Sequence, residues 1–235
     1  MITTLAPVRC AFFDLDETLI RRKSMTSFLD HYAGTVAKAL GVAADRELRG
    51  RAARLVRRAA GSGHRRGALN RDYYRLFRGH PYEGLRAAGR DWFAGQLGGG
   101  DLFHPDVRRA LVEHRDRGFL IVLLSGSFAP CLEPVAEHVG ADLALGAEVF
   151  ERDGLLTGEI RRPMIGRGKA VAARRALAVF GASARESYAY GDHISDLPML
   201  RAIGHPVVVG ARGALARYAA VAGWPVIETR PAGSG

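Results

Sequence analysis

Two aspartates near the start of the chain carry its strongest chemical signal. A short apolar run, Cys10 to Phe13, ends in Asp14, and Asp16 follows two residues later. Such a run favours a strand buried on both faces, and side chains alternate along a strand, so we expect both carboxylates to point the same way. Neighbouring carboxylates repel, and a hard cation such as Mg²⁺ would relieve that repulsion. One carboxylate could then attack phosphorus and form an aspartyl-phosphate. The simpler alternative is an acidic turn after an edge strand.

A serine and a lysine stand at similar positions further along. Ser125 and Gly126 follow a second predicted buried strand, where a hydroxyl and backbone N–H groups at a helix start could hold a phosphate. Lys169 begins a predicted helix, where it could neutralise phosphate oxygens and offset the charge of Asp14. The simpler alternatives are a helix cap for Ser125 and a surface lysine for Lys169.

A second pair of aspartates ends a later predicted strand. Asp192 follows the strand Tyr188–Tyr190, and Asp196 comes four residues after it. These two carboxylates could complete a Mg²⁺ site, or they could cap the next helix. Ligands of open α/β sheets bind at the carboxyl ends of the strands. All these groups are therefore predicted to form one site.

The predicted elements that would position these candidate site residues alternate between strands and helices. This rhythm predicts an α/β fold with a doubly wound, mostly parallel sheet of Rossmann-like type. The core is predicted at residues 1–20 and 101–230, with an inserted α-helical cap at 21–100 and a disordered tail at 231–235. One predicted strand runs from Leu143 to Phe150 and forms a hairpin with Leu155–Ile160 across an Asp-Gly turn.

The positive charge is concentrated in the predicted insert. The net charge is +10, and residues 21–100 hold 17 Lys and Arg against 6 Asp and Glu. A positive field near a site would draw anionic substrates. A solvated arginine-rich helix surface would give the same composition. Nucleic-acid binding through Arg46–Arg66 is a further alternative, although the absence of aromatic residues between Tyr32 and Tyr73 disfavours base stacking.

Composition also bears on location. No run of about 18 apolar residues occurs, and the N-terminal residues lack a signal-peptide pattern, so we expect no membrane association and a cytoplasmic protein. The two cysteines, Cys10 and Cys131, are expected to be buried and reduced.

Four motifs in order resemble those of the haloacid dehalogenase superfamily of phosphatases. They are Asp-Leu-Asp-Glu-Thr-Leu, Ser-Gly-Ser, Gly-Lys and Gly-Asp-His-Ile-Ser-Asp. The chain is most similar to the branch of phosphoserine phosphatase, which carries a helical cap between the first two motifs. The insert matches that branch only in its position and helical character.

The resemblance implies a role for each motif. Asp14 would be the nucleophile, and Asp16 would protonate the leaving alcohol and then activate water. Ser125 and Lys169 would hold the transferring phosphoryl group. Asp14, the backbone carbonyl of Asp16 and Asp192 would bind Mg²⁺, with Asp196 beside them. The substrate would be a small anionic phosphomonoester, and histidinol phosphate is an option because some relatives act on it. Transfer of the phosphoryl group to an acceptor other than water is also open.

Two departures from the phosphoserine phosphatase pattern concern specificity. Lys23 stands where a glutamate usually meets the substrate ammonium, which predicts that phosphoserine is a poor substrate. His193 and Ser195 replace residues of the usual last motif, and we interpret them as filling the loop. Arg86 matches the place of a carboxylate-binding arginine and is a candidate for substrate binding, with a surface helix arginine as the alternative.

Overall fold

The computed structural model describes residues 7–40, 42–60 and 66–229. The described helices are α1 (Ser24–Leu40), α2 (Val42–Ala60), α3 (Arg66–Arg75), α4 (Tyr82–Gly98), α5 (Pro105–Asp116), α6 (Ala129–Val139), α7 (Arg167–Phe180), α8 (Leu197–Leu200) and α9 (Gly213–Ala222). The described strands are β1 (Cys10–Asp14), β2 (Leu120–Leu124), β3 (Leu143–Leu145), β4 (Glu148–Arg152), β5 (Leu155–Arg162), β6 (Tyr188–Gly191), β7 (His205–Val209) and β8 (Val226–Ile227). The predicted tail at 231–235 lies outside the described residues.

Six strands form one parallel sheet in the order β3-β2-β1-β6-β7-β8. The strand β1 lies between β2 and β6, and all five of its residues are buried. Its side chains alternate between the two faces: Ala11 and Phe13 join one apolar cluster, and Cys10 and Phe12 join the other. The predicted doubly wound α/β fold is confirmed.

The register brings the ends of three strands to one edge of the sheet. Asp14 lies opposite Leu124, and Phe13 lies opposite Tyr190. The residues that follow β2 and β6 therefore emerge beside Asp14. The chain order reverses at β1, which is where ligands of such sheets bind.

The predicted strand Leu143–Phe150 is wrong in its extent. It divides into β3, which pairs with β2, and β4, which pairs antiparallel with β5. Gly146 separates them, because a Cβ there would lie 2.5 Å from the carbonyl oxygen of Ser127. The Ala147 N–H donates to the same carbonyl at 2.7 Å. This close contact with the loop after β2 turns the chain out of the sheet.

The insert shares its apolar core with one face of the sheet. Phe28, Phe77 and Trp92 belong to the same cluster as Phe13. Phe128, at the start of α6, has its ring centroid 5.7 Å from Phe28 and 5.5 Å from Phe77. The helices of the insert are thus packed directly on the loop that follows β2. Among the described residues, none of the helices is both long and apolar enough to span a membrane.

Candidate active site

Asp14, at the end of β1, is held by a buried lysine. The ammonium nitrogen of Lys169 lies 2.6 Å from Oδ1 of Asp14 and 2.7 Å from Oδ1 of Asp196. The backbone N–H of Leu15 also donates to Oδ1 of Asp14, at 2.8 Å. Lys169 is 4% exposed and Asp14 6%. This shielding strengthens the attraction between the charges and fixes the position of the carboxylate.

Three carboxylates form a compact acidic cluster around that lysine. Asp14, Asp192 and Asp196 each offer an oxygen, and these oxygens lie within 4.8 Å of one another. Thr18 donates to Asp192 at 3.2 Å, and the His193 N–H donates to Asp196 at 3.2 Å. Burial and the charges of Asp196 and Asp192 raise the pKa of Asp14, while Lys169 opposes that shift. Hard oxygen donors at this spacing fit Mg²⁺.

Burial alone would lower the pKa of Lys169, but Asp14 and Asp196 outweigh it and raise that pKa above its ordinary value. The lysine is therefore charged at neutral pH. It compensates part of the negative charge of the cluster.

The Asp16 carboxylate lies apart from this cluster. The strand β1 ends at Asp14, so the predicted strand alternation does not reach Asp16. Oδ1 of Asp16 instead accepts a hydrogen bond of 2.9 Å from the N–H of Ser24, at the start of α1. Burial raises the pKa of Asp16, against the hydrogen bonds from Ser24. The two aspartates have different partners but line the same cavity.

The loop after β2 is tied to the insert through Gly126. Its carbonyl accepts a hydrogen bond of 2.8 Å from the Tyr74 hydroxyl and one of 3.1 Å from Nδ2 of Asn70. Within the loop, the N–H of Ser127 donates to Oγ of Ser125 at 3.0 Å. The Ser125 hydroxyl is fully buried and is not among the described residues that line the cavity, although its neighbour Gly126 is.

His193 and Ser195 shape the turn that carries Asp196. The ring of His193 accepts from the N–H of Ser195 at 3.0 Å and caps a short 3₁₀ helix, Ile194–Asp196. Gly191 permits the turn, since a Cβ there would lie 2.8 Å from the Cβ of Asp196. These contacts favour the loop-filling interpretation of His193. Ser195 also lines the cavity.

A cavity of about 320 Å³ joins these groups to the insert. At the edge of the sheet its lining consists of Asp14, Asp16, Lys169 and Asp192, and we call this part the carboxylate end. The insert contributes apolar surface from Met25, Leu55, Leu69 and Tyr73 and the polar side chains of Lys23, Thr26 and Asn70, and we call this part the insert end. Ile165 adds a further apolar side chain.

The two predicted substrate residues of the insert lie in different places. Lys23 lines the cavity, where its ammonium lies 3.4 Å from a carboxylate oxygen of Glu17. Arg86 is not among the described residues that line this cavity. Its guanidinium pairs instead with Glu133 of α6 at 2.6 Å. The geometry therefore gives Arg86 a role in joining α4 to α6.

Sequence reasoning missed several of the residues that line the cavity. Glu17 belongs to the first motif and has a φ of 60°, a conformation uncommon outside glycine, which often marks a functional turn. Leu55, Leu69 and Asn70 reach the cavity only through the packing of α2 and α3. Their local sequence contains no signal that would have identified them.

The basic helix α2 turns two different faces to its surroundings. Arg46, Arg54 and Arg57 are exposed, whereas Leu48 is buried and Leu55 lines the cavity. The described arginines thus form a solvated surface. The apolar face of α2 is the one that contributes to the site.

Comparison with known proteins identifies the family. The haloacid dehalogenase-like hydrolase family matches residues 11–201, which is most of the chain. The chain belongs to this family. The predicted resemblance is confirmed, and the protein is a phosphoric monoester hydrolase. Solved phosphoserine phosphatases share its fold.

Three similar proteins illustrate the relationship. An inhibition of morphological differentiation protein of Streptomyces azureus is 33% identical over 94% of this chain and 79% of its own length. A probable phosphatase of Mycobacterium tuberculosis is 37% identical over 55% of this chain, and the match covers 46% of that protein. A solved protein of unknown function from Bordetella pertussis Tohama I has a TM-score of 0.81 at 26% identity and covers 95% of this chain and 99% of its own.

Proposed function

We propose that this hydrolase cleaves a small phosphomonoester through a phosphoryl group carried on Asp14. The observation that carries the proposal is the Asp14 carboxylate, fixed by Lys169 at 2.6 Å where the cavity meets the end of β1. An oxygen of Asp14 bonds to phosphorus as the ester P–O bond breaks, and Asp16 gives its proton to the departing alkoxide. Water then attacks phosphorus, Asp16 takes a proton from it, and the bond to Asp14 breaks to release inorganic phosphate.

Ser125 and Lys169 are proposed to bind the phosphoryl oxygens. The Ser125 hydroxyl accepts from Ser127 and can still donate to an oxygen of the substrate. Positioning and charge neutralisation dominate phosphoryl transfer, and both groups are fixed by burial. The predicted cap, residues 21–100, would exclude water during the first step.

The acidic cluster is the proposed Mg²⁺ site. The carboxylates of Asp14, Asp192 and Asp196 and the backbone carbonyl of Asp16 would hold the ion. When bound, Mg²⁺ supplies positive charge that offsets the carboxylates and the phosphoryl oxygens.

Phosphoserine is proposed to be a poor substrate. Lys23 lines the cavity and would repel the ammonium of phosphoserine, although Glu17 offsets part of its charge. Phosphoserine is therefore included among the tested substrates, and we expect the protein to hydrolyse it more slowly than the other phosphomonoesters.

The proposal is tested by phosphate release from a panel of phosphomonoesters with Mg²⁺ or with EDTA. Asp14→Asn is expected to lose about 1000-fold or more in kcat, and EDTA is expected to abolish release by the wild-type protein. Asp153→Asn, an exposed aspartate at the tip of the β4–β5 hairpin, is the matched control and should keep full activity. Release that survives Asp14→Asn would contradict the mechanism, and a preference for phosphoserine would contradict the role of Lys23.

A further inference from the structure

The insert end of the cavity, together with Ile165, has a surface suited to an apolar group. Met25, Leu55, Leu69 and Ile165 line it and are each only half-buried, so part of their apolar surface is uncovered. Covering such surface with an apolar ligand is favourable in proportion to the area removed from water. The site therefore binds a leaving group with a hydrocarbon part more favourably than one without it.

Two donors at this end are engaged within the protein, and Oδ1 of Asn70, which can only accept, is buried without a hydrogen-bond partner in the described part of the chain. The Tyr73 hydroxyl donates to the backbone carbonyl of Met25 at 2.8 Å. Nδ2 of Asn70 donates to the carbonyl of Gly126, which can only accept, so that carbonyl fixes the orientation of the amide. Neither donor remains available to a carboxylate of the substrate.

The cations of the cavity are engaged as well. Among the described residues that line it, the ammonium groups are those of Lys169 and Lys23. Lys169 pairs with Asp14 and Asp196, and Lys23 pairs with Glu17. A carboxylate on the leaving group would find Lys169 held by two aspartates and would have to compete with Glu17 for Lys23.

The volume limits the part of the leaving group that the cavity can enclose. The cavity holds about 320 Å³, and the phosphoryl group occupies the carboxylate end. Small-molecule sites span roughly 300 to 1000 Å³, so this one lies at the lower limit. A short hydrocarbon chain or a single ring fits within this volume, whereas a nucleoside would extend out through the open side of the cavity.

We infer that the leaving alcohol has a small, mainly apolar body without a carboxylate, and that Leu55 and Leu69 determine this specificity. The inference rests on the proposed phosphatase function and narrows its substrate class. Both leucines come from the insert, from α2 and α3, and both line the cavity together with the catalytic groups.

A homologous substrate series tests the inference. The probes are unbranched alkyl phosphates from ethyl to hexyl, each paired with the phosphate of the same length that ends in a carboxylate. With the wild-type protein, kcat/KM should rise about threefold per added methylene until the cavity is filled. Each carboxylate-ended partner should be at least about tenfold poorer than its alkyl phosphate.

A leucine variant locates the effect in the insert. Leu69→Ala should reduce the gain per methylene for the longer chains, so that kcat/KM falls more for hexyl phosphate than for ethyl phosphate. Leu155→Ala, a half-exposed leucine on the β4–β5 hairpin, is the matched control and should leave the series unchanged. Thermal unfolding of both variants checks that the fold is kept. If Leu69→Ala does not fold, the substrate series with the wild-type protein still tests whether the site prefers an apolar leaving group.

The outcomes separate this inference from the function on which it rests. A flat series, or a preference for the carboxylate-ended esters, with release that Asp14→Asn abolishes would overturn the inference and leave the phosphatase proposal intact. Loss of the gradient in Leu155→Ala as well would also overturn it. Absence of Asp14-dependent release from every probe would overturn both.

Discussion

The two ends of the cavity differ in how their side chains are held. At the carboxylate end, Lys169 is 4% exposed and lies within 2.7 Å of two aspartates. At the insert end, the ammonium of Lys23 belongs to a side chain that is 57% exposed and lies 3.4 Å from Glu17. The first pair is shielded from water, and the second is largely screened by it.

The difference shows a division of labour between sheet and insert. The carboxylate end is built by the ends of parallel strands and the start of α7, where the backbone register fixes each group. The insert end is built by helices packed on the loop after β2, and its apolar side chains remain partly uncovered. In the proposed mechanism, the edge of the sheet therefore holds the reacting groups, and the insert contacts the leaving alcohol.

The largest expected effect is on stability and activity, and it comes from replacing Lys169; replacing Lys23 in the same way is the comparison. Lys169→Met removes the cation between two buried carboxylates, so we expect a loss of about 3 kcal/mol or more in the free energy of unfolding. Activity should fall about 1000-fold, because the proposed mechanism uses Lys169 to bind the phosphoryl oxygens. Lys23→Met should change the free energy of unfolding by less than about 0.5 kcal/mol, since that pair is exposed.

Urea unfolding of the two lysine variants, with and without Mg²⁺, measures this contrast. We expect Mg²⁺ to restore part of the stability of Lys169→Met, because an ion in the acidic cluster compensates the missing charge. Equal losses in the two variants would contradict the distinction between the two ends.

A pair of glycines on α4 tests how tightly the insert is joined to the sheet. A Cβ at Gly89 would lie 2.0 Å from the backbone carbonyl oxygen of Pro130, whereas none of the described atoms comes within 4 Å of one at Gly95. Gly89→Ala should destabilise the protein by about 2 to 3 kcal/mol because α4 must move away from α6. Gly95→Ala, on an exposed helical face, should stabilise it by about 0.5 to 1 kcal/mol. Thermal unfolding distinguishes them, and a neutral Gly89→Ala would show that the insert is loosely attached.

A smaller effect on the free energy of unfolding should appear on acidification, through the aromatic residues that pack around Phe13, next to Asp14. Phe13 stacks on Tyr190 with centroids 4.4 Å apart, and His114 contacts the Tyr190 hydroxyl at 2.7 Å. Burial, with the charges of Arg117 and Arg9, lowers the pKa of His114 to about 4. The unfolded chain binds this proton near pH 6.5, so stability falls as the pH drops from about 6.5 toward 4.

Comparison with a variant isolates this contribution. Between pH 7.5 and 5 the wild-type protein should lose about 2 kcal/mol through His114, and His114→Gln should lose correspondingly less. The free energy of unfolding at the two pH values measures the difference. Identical pH dependence in both proteins would contradict the buried, neutral histidine.

Sequence reasoning predicted the carboxylate end because its signals are local. Asp14, Ser125 and Asp192 each follow a short apolar run, and Lys169 follows a glycine at a helix start. A parallel sheet brings such positions to one edge without further information. Asp16 lines the same cavity as Asp14, but through the turn after β1 and the hydrogen bond from Ser24 rather than through the predicted strand alternation.

The insert end could not be predicted in the same way. Asn70 and Tyr74 bind the carbonyl of Gly126, which lies 56 and 52 residues away in sequence. Leu55 and Leu69 reach the cavity through the same tertiary packing, which helical periodicity does not specify. The break at Gly146 likewise depends on a contact with Ser127 that is distant in sequence.

The most direct test of the central claim is to trap the phosphoryl group. In Asp16→Asn, a substrate with a good leaving group, 4-nitrophenyl phosphate, should still phosphorylate Asp14, whereas hydrolysis should be slow without the general base. Mass spectrometry of the acid-quenched protein is predicted to find one phosphoryl group on the peptide that contains Asp14, and none when Asp14→Asn is added. Release of 4-nitrophenol with no phosphoryl group on Asp14, or with the group on another residue, would contradict the account.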